Sequence, residues 1–405
     1  TAANSPIVAT IGLISGLPMS GGFDPMTQQP ETPWVVTSQI QQLFDLRPLG
    51  LVTEKIDADI NLLMLVHPKN LSTTTLYAID QFILGGGRAI LFVDPYAEAD
   101  IPASDPSNPT AAMMADRSSN LQGMLNTWGI NVPPDEVIGD DQYALPVSGP
   151  GQRPVRHLGY LGINSSGLDR AEVITADLDS INIGYTGHIV AKKTENLLVT
   201  PLILSSNIAG PMPAGTIGFM SDPAMLRNAF TPTGEQYVIA ARITGIVETA
   251  FPDGPPVAQG MDTTSTTANQ HLLVSKNPIN VILVADTDML TDRFWVQVQN
   301  FLGQRITNAF ASNGNFVINS LENLTGSSDL IGMRSRQSYS RPFTRVMGLR
   351  REAENRFRLT EQRLQQELRE TEDKLTELQA NRSEGSALIL SPEQEAELDR
   401  FTQER

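Results

Sequence analysis

Four short apolar runs set the limits on what this chain can fold into. They are Ile7–Leu13, "NLLMLVHP" at Asn61–Pro68, "RAILFVDP" at Arg88–Pro95, and Ile279–Ala285. Each is continuous rather than alternating, and each ends in loop-forming residues. Such runs read as strands buried on both faces of a sheet. Helical patterns lie between the first three. Thr37–Leu46 puts Ile40, Leu43 and Phe44 on one face. "TTTLYAIDQFILGGG" offers Thr73 as a cap, Leu76, Ile79, Ile83 and Leu84 as a face, and Gly85–Gly87 as a stop. Asn120–Trp128 is a further helix, stopped by Gly129. Strand and helix in alternation predict a parallel sheet with helices on both faces.

The chain has 405 residues, enough for two or three domains of about 100–200 residues. From Pro133 to Pro256 the texture becomes Gly- and Pro-rich, with short β-prone runs such as "HLGYLGI", "LLVTPLILS" and "YVIAARITGIV". Pro252–Gln270 is low in hydrophobicity and reads as a loop. "NPINVILVADTDMLTDRFW" then restores the α/β texture, and "GNFVINSLENL" places Phe316, Ile318, Leu321 and Leu324 along one side of a helix. The expected division is an α/β domain over 1–135, a β-rich insertion or second domain over 136–270, the closing part of the α/β domain over 271–340, and a helical region over 341–405.

That last region is rich in Glu, Arg, Gln and Leu. Phe357, Leu364, Leu368, Leu375 and Leu378, with Thr371 among them, follow a heptad seam with a gap at Glu361. "SPEQEAELDRF" starts a second helix with Ser391 as cap and Pro392 at the first helical position. A helical hairpin or coiled coil is expected. A narrow Leu seam on a charged helix buries little unless something faces it, so docking to partner helices or to a second copy is expected. The pattern is still open at Arg405, so the chain is expected to continue, toward a transmembrane segment.

The formal charge is −16, which argues against a nucleic-acid partner. There is no cysteine, which excludes disulfides, thiolate metal sites and a cysteine nucleophile. No run approaches the ~20 apolar residues that span a bilayer.

Chemistry would sit at the strand ends. "GLISGLPMSGG", Gly12–Gly22, follows the first strand. Its glycine spacing fits neither a dinucleotide fingerprint nor a nucleophile elbow, and Gly22 stands where a phosphate-binding loop needs lysine. It reads as a loop with unusual backbone angles whose N–H groups, around Ser15, Gly16 and Ser20, could meet an anion or a hydroxyl-rich ligand. His67 and Asp94 end the next two strands, and a Ser15–His67–Asp94 triad can be drawn across them. Asp286 and Asp288 end the last strand. With His67 and Asp94 they are candidate contacts for a ligand or partner lying across the strand-end crevice; against a metal stands the commoner use of such an aspartate as a helix cap, a role Asp288 or Thr291 would fill. No metal or cofactor is expected.

Several stretches together carry a resemblance: "GLISGLPM", "LVHPKNLSTTTLYAIDQFILGGGRAILFVDP", "VADTDMLTDRFW", "NGNFVINSLENLTGSSDLIGMRSR" and "RPFTRV…LRREAENRFR". They resemble the GldG-type ABC-transporter auxiliary components, a family related to gliding motility, over roughly residues 7–400. The resemblance implies a glutamine-amidotransferase-like or flavodoxin-like body without a catalytic cysteine. It implies a periplasmic domain of a bacterial inner-membrane protein, with ABC permease and ATPase subunits as partners and an envelope glycan or protein as a possible ligand. Three readings follow: a non-catalytic accessory subunit that binds and scaffolds, a hydrolase for a glycan or ester, and a structural coiled-coil assembly protein.

Overall fold

The computed structural model describes residues 8–24, 29–102, 115–148, 154–192, 195–217, 223–256, 271–301 and 304–326, with Arg363 and Gln366. The chain divides into two compact units, Thr1–Gly332 and Met333–Arg405. The heptad seam from Phe357 to Leu378 lies outside the described residues.

The main elements, in chain order, are β1 (Thr10–Ser15), α1 (Val35–Leu43), β2 (Asp45–Pro48), β3 (Leu62–Val66), α2 (Thr73–Leu84), β4 (Arg88–Phe92) and α3 (Gln122–Thr127). Then come β5 (Glu136–Asp140), β6 (Ala144–Ser148), β7 (Pro154–Asn164), β8 (Ser180–Gly184), β9 (Leu197–Leu204), β10 (Ala209–Pro213) and β11 (Val238–Gly245). β12 (Ile279–Val284), β13 (Val296–Phe301), β14 (Gln304–Ala309) and α4 (Asn313–Leu324) close the unit.

The apolar runs meet in a seven-stranded sheet ordered β9-β11-β12-β4-β3-β1-β2. From β12 to β2 every neighbouring pair is parallel, while β11 and β9 add antiparallel at one edge. Alternate strand residues feed two cores. Leu62, Met64, Val66, Ile90 and Phe92 face one side with α1 and α4, and Leu63, Leu65, Ala89 and Leu91 face the other with α2 and α3. The strands are apolar throughout because both faces are covered. Ile79, Ile83 and Leu84 of α2 are fully buried, each contributing about 1.5–3 kcal/mol.

The first strand runs to Ser15, later than the sequence pattern placed it, because Ser15 still pairs with Val66. Val8, inside the expected strand, is half exposed. Helix α1 stops at Leu43, so Leu43 turns to solvent, and Phe44 is buried through an extended backbone rather than a helical face. The cap of α2 is Ser72, which accepts from Thr75 N–H, not Thr73.

The region after β5 contributes to several sheets. β6, β7 and β8 form a three-stranded antiparallel sheet and β5 pairs with β10, whereas β9 and β11 join the central sheet. Among the described residues no helix is long and apolar enough to cross a membrane.

Candidate functional site

The carboxyl ends of β1, β3, β4 and β12 line one edge of the sheet, so Ser15, His67, Asp94 and Asp286 gather at that edge. The chain's order across its parallel strands turns back between β1 and β3. In open α/β sheets such a turning point is where a ligand crevice forms.

Here the crevice is closed by the protein itself. Gly16 donates its N–H to Val66 O at 2.9 Å, which continues the β1–β3 ladder past the strand end. A side chain at Gly16 would place its Cβ 2.3 Å from His67 O. Glycine is therefore required by close approach. Three further loop amides are spent internally: Leu17 on Ser15 Oγ, Met19 on Leu17 O, and Gly21, at φ 74°, on Pro18 O. Ser15 donates its hydroxyl to Leu17 O at 2.8 Å, and Ser20 is exposed. From Ser15 to Gly21 the loop is a turn braced by its own hydrogen bonds and by β3.

His67 is buried in the left-handed region at φ 49°, an uncommon place for a residue other than glycine. Its Nε2 lies 3.2 Å from Asp100 Oδ2, and Lys69 Nζ donates to the same oxygen at 2.6 Å. Burial pushes the His67 imidazole below its usual range, offset in part by Asp100. Burial alone would raise Asp100, but the bonds from Lys69 and His67 bring it below the ordinary carboxylate range.

The triad drawn from the sequence is not assembled. His67 turns to Asp100, the Ser15 hydroxyl stays within its own loop, and Asp94 is fully committed elsewhere. Asp94 Oδ2 accepts from Thr287 N–H and Oγ1, both at 2.7 Å, and Oδ1 from Tyr96 N–H at 2.8 Å. Asp286 Oδ1 accepts from Met289 N–H at 2.6 Å and so braces the turn that follows, while Thr291 stands at the N-cap of the short helix Asp292–Trp295 without a side-chain cap bond. Asp286 Oδ2 takes Gly184 N–H at 2.9 Å. Asp288 instead clasps Glu98 N–H at 2.8 Å and Ala99 N–H at 3.0 Å. All three aspartates are fully buried.

Beside them lies an aromatic corner that the sequence reading missed. His157 stacks on Tyr160 with ring centroids 4.1 Å apart, and Tyr185 Oη meets His157 Nε2 at 3.2 Å. Tyr160 donates its hydroxyl to Glu98 Oε1 at 2.8 Å, and Arg293, which pairs with Glu98, lies over Phe294. Burial lowers His157 to about 4 and raises the phenols of Tyr160 and Tyr185. The run "HLGYLGI" of β7 carried a β signal, but nothing in it marked His157 as the partner of Tyr185 or Tyr160 as the partner of Glu98.

A groove of about 620 Å³ opens next to the N-terminus of α1, lined by Thr32, Asp292, Arg293, Val298, Arg305 and Phe310 among others. The β13–β14 hairpin that forms one wall was not read from the sequence. Among the described residues no group of three or more His, Asp or Glu converges as metal ligands do.

A solved structure titled "mmIFT52 N-terminal domain" is similar at 10% identity over 79% of this chain and 99% of that chain, with a TM-score of 0.37. No curated protein matches. The family model described as "ABC-type uncharacterized transport system" matches residues 9–320. The chain belongs to this family of auxiliary components of ABC transport systems.

Proposed function

We propose that this chain is the non-catalytic, extracytoplasmic part of an ABC-transporter accessory subunit. It binds a substrate or an envelope partner and scaffolds the permease and ATPase from the periplasmic side of the inner membrane. In this reading the parallel strands, ordered second-first-third-fourth-fifth, form a flavodoxin-like body. The seam Phe357, Leu364, Leu368, Leu375 and Leu378 belongs to a coiled coil that leads toward the membrane and pairs with a second copy.

One observation carries the reading within the family. The groups that could do chemistry at the strand ends hold the protein together instead. Ser15 closes its own turn, His67 is bonded to Asp100, and the carboxylates of Asp94, Asp286 and Asp288 hold backbone N–H groups. A nucleophile needs a base within hydrogen-bond reach and an open approach, and this arrangement favours neither.

The test is affinity purification of the full-length protein from its native membrane, with mass spectrometry of what is retained. A permease and an ATPase recovered in constant ratio are the expected result. Recovery without any membrane partner, together with ester or glycoside turnover that disappears in Ser15→Ala, would overturn the reading in favour of a hydrolase.

A further inference from the structure

Both edges of the central sheet are blunted. β2 carries Asp45, Arg47 and Pro48, and β9 carries Pro201 and slips register between Pro201 and Leu204. Charges, prolines and bulges are the devices that keep an edge strand from pairing with another chain. The outer strand of the β13–β14 hairpin lacks them. β14 has no proline and a single charge, Arg305, which Asp292 already meets at 2.9 Å. Residues 305–309 are exposed at every position. Among the described residues their backbone groups have no partner besides β13. A two-stranded hairpin is marginal in water, and further strands are what stabilise it.

The ladder fixes which groups that edge offers. Phe310 donates its N–H to Trp295 O at 2.8 Å, in line with the register that pairs Val296 with Ala309. Residues of an antiparallel strand turn their N–H and C=O to opposite sides in alternation. The backbone groups of Arg305, Thr307 and Ala309 therefore turn away from β13, and this outward set is centred on Thr307.

We propose that β14 pairs antiparallel with β14 of a second copy, about a two-fold axis at Thr307, and so makes one four-stranded sheet from two hairpins. In this register Arg305 stands opposite the partner's Ala309, Ile306 opposite the partner's Asn308, and Thr307 opposite the partner's Thr307. No like charges face each other, and a Thr–Thr pair is a favourable one across strands. Ile306, 48% exposed in the single chain, comes diagonal to the partner's Ile306, within side-chain reach. The strand thus complements itself, which is what selects a second copy as the occupant of the edge. The wider charge agrees. The chain carries −16, yet from Arg293 to Leu321 it has no Asp or Glu, so two acidic chains can approach here with reduced repulsion. The same edge is used on both copies, so the assembly closes at the dimer.

The experiment uses the full chain, purified without any other protein, in analytical ultracentrifugation. The expected result is a concentration-dependent dimer. Thr307→Pro removes the two symmetric bonds donated by Thr307 N–H across the axis and none to β13, and should weaken the dimer by about tenfold or more. The chain has no cysteine, so single substitutions report the register directly. Directly opposed residues lie within disulfide reach, whereas Gln299 on β13 stands three strand spacings, about 14 Å, from its counterpart. In air, Thr307→Cys should lock into a dimer that dithiothreitol releases, and Gln299→Cys should not. If Thr307→Pro does not fold, the cysteine variants decide. A chain that is monomeric at every concentration, a dimer that Thr307→Pro leaves unchanged, or equal cross-linking at the two cysteine positions overturns the proposal. So does a Thr307→Cys chain that, in its native membrane, is captured by a different protein and not by its own copy. These readouts need neither permease nor ATPase, so they hold or fail separately from the accessory-subunit reading.

Discussion

Asp292 Oδ1 accepts the backbone N–H of Val35 at 2.8 Å, across 257 positions of sequence. The N-terminus of the helix after the first strand is a ready anion site in an open α/β sheet, because its N–H groups are unpaired and the helix dipole favours negative charge. This protein supplies the anion itself. Arg305 donates from Nη2 to Asp292 Oδ2 at 2.9 Å and fixes the carboxylate in place.

Asp292→Ala should therefore behave as the loss of a helix cap. The expected cost is about 1 kcal/mol in urea or guanidinium unfolding. Inorganic phosphate should restore part of that loss in the variant and leave the wild type unchanged, since only the variant exposes the helix terminus. Equal stability of the two proteins would show that the contact contributes nothing.

Gly16 and Gly22 stand in the same loop but should respond differently to alanine. A Cβ at Gly16 meets the His67 carbonyl at 2.3 Å, and backbone cannot move aside cheaply. A Cβ at Gly22 meets nothing within 4 Å. Gly16→Ala should cost about 2 kcal/mol, and Gly22→Ala no more than about 0.5 kcal/mol, by equilibrium denaturation.

The sequence made some of this readable and hid the rest for physical reasons. Strands β3, β4 and β12 were legible because burial on both faces leaves an uninterrupted apolar run. Strand β2, "DLRP", was not, because it is a short polar edge strand of the kind that resists edge-to-edge pairing. The texture of β11 matched its β-rich neighbours, yet it lies against β12 in the central sheet, and nothing local distinguishes the two placements. The strand-end positions of Ser15, His67, Asp94 and Asp286 were legible. The distant partners of three of them were not, since Asp100, Thr287 and Gly184 come from other segments. Hydrogen bonds over such separations leave no periodic trace.

Arg242 in β11 ties an edge of the sheet to two other parts. It donates from Nη1 to Asn323 Oδ1 and from Nη2 to Glu172 Oε2, each at 2.8 Å, and it is mostly buried. Arg242→Ala leaves Glu172 without its cation and opens a gap, whereas Arg242→Met keeps most of the packing. The alanine variant should lose about 2–3 kcal/mol and the methionine variant about half of that, read as a shift in the denaturation midpoint.

His157 and Asp288 should drive stability in opposite directions over the same pH range. Burial holds His157 at about 4, below the roughly 6.5 of an unfolded histidine. The unfolded chain then binds more protons between these values, so His157 removes stability as pH falls from about 6.5 to about 4, by up to about 3 kcal/mol. Asp288, raised to about 7, does the reverse. The folded chain binds more protons between about 4 and about 7, so stability falls as pH rises through that window. In the wild type the two contributions oppose each other, so each is read as the difference between a variant's profile and the wild-type profile. His157→Phe keeps the stacking on Tyr160 and removes the titration. Its midpoint should fall as pH rises. Asp288→Asn should show the opposite slope, losing stability toward acid. Midpoints measured across this range for the three proteins separate the contributions. Parallel profiles for wild type and His157→Phe would mean that the imidazole is protonated in the folded protein and that its place against Tyr160 and Tyr185 does not depend on its neutral form.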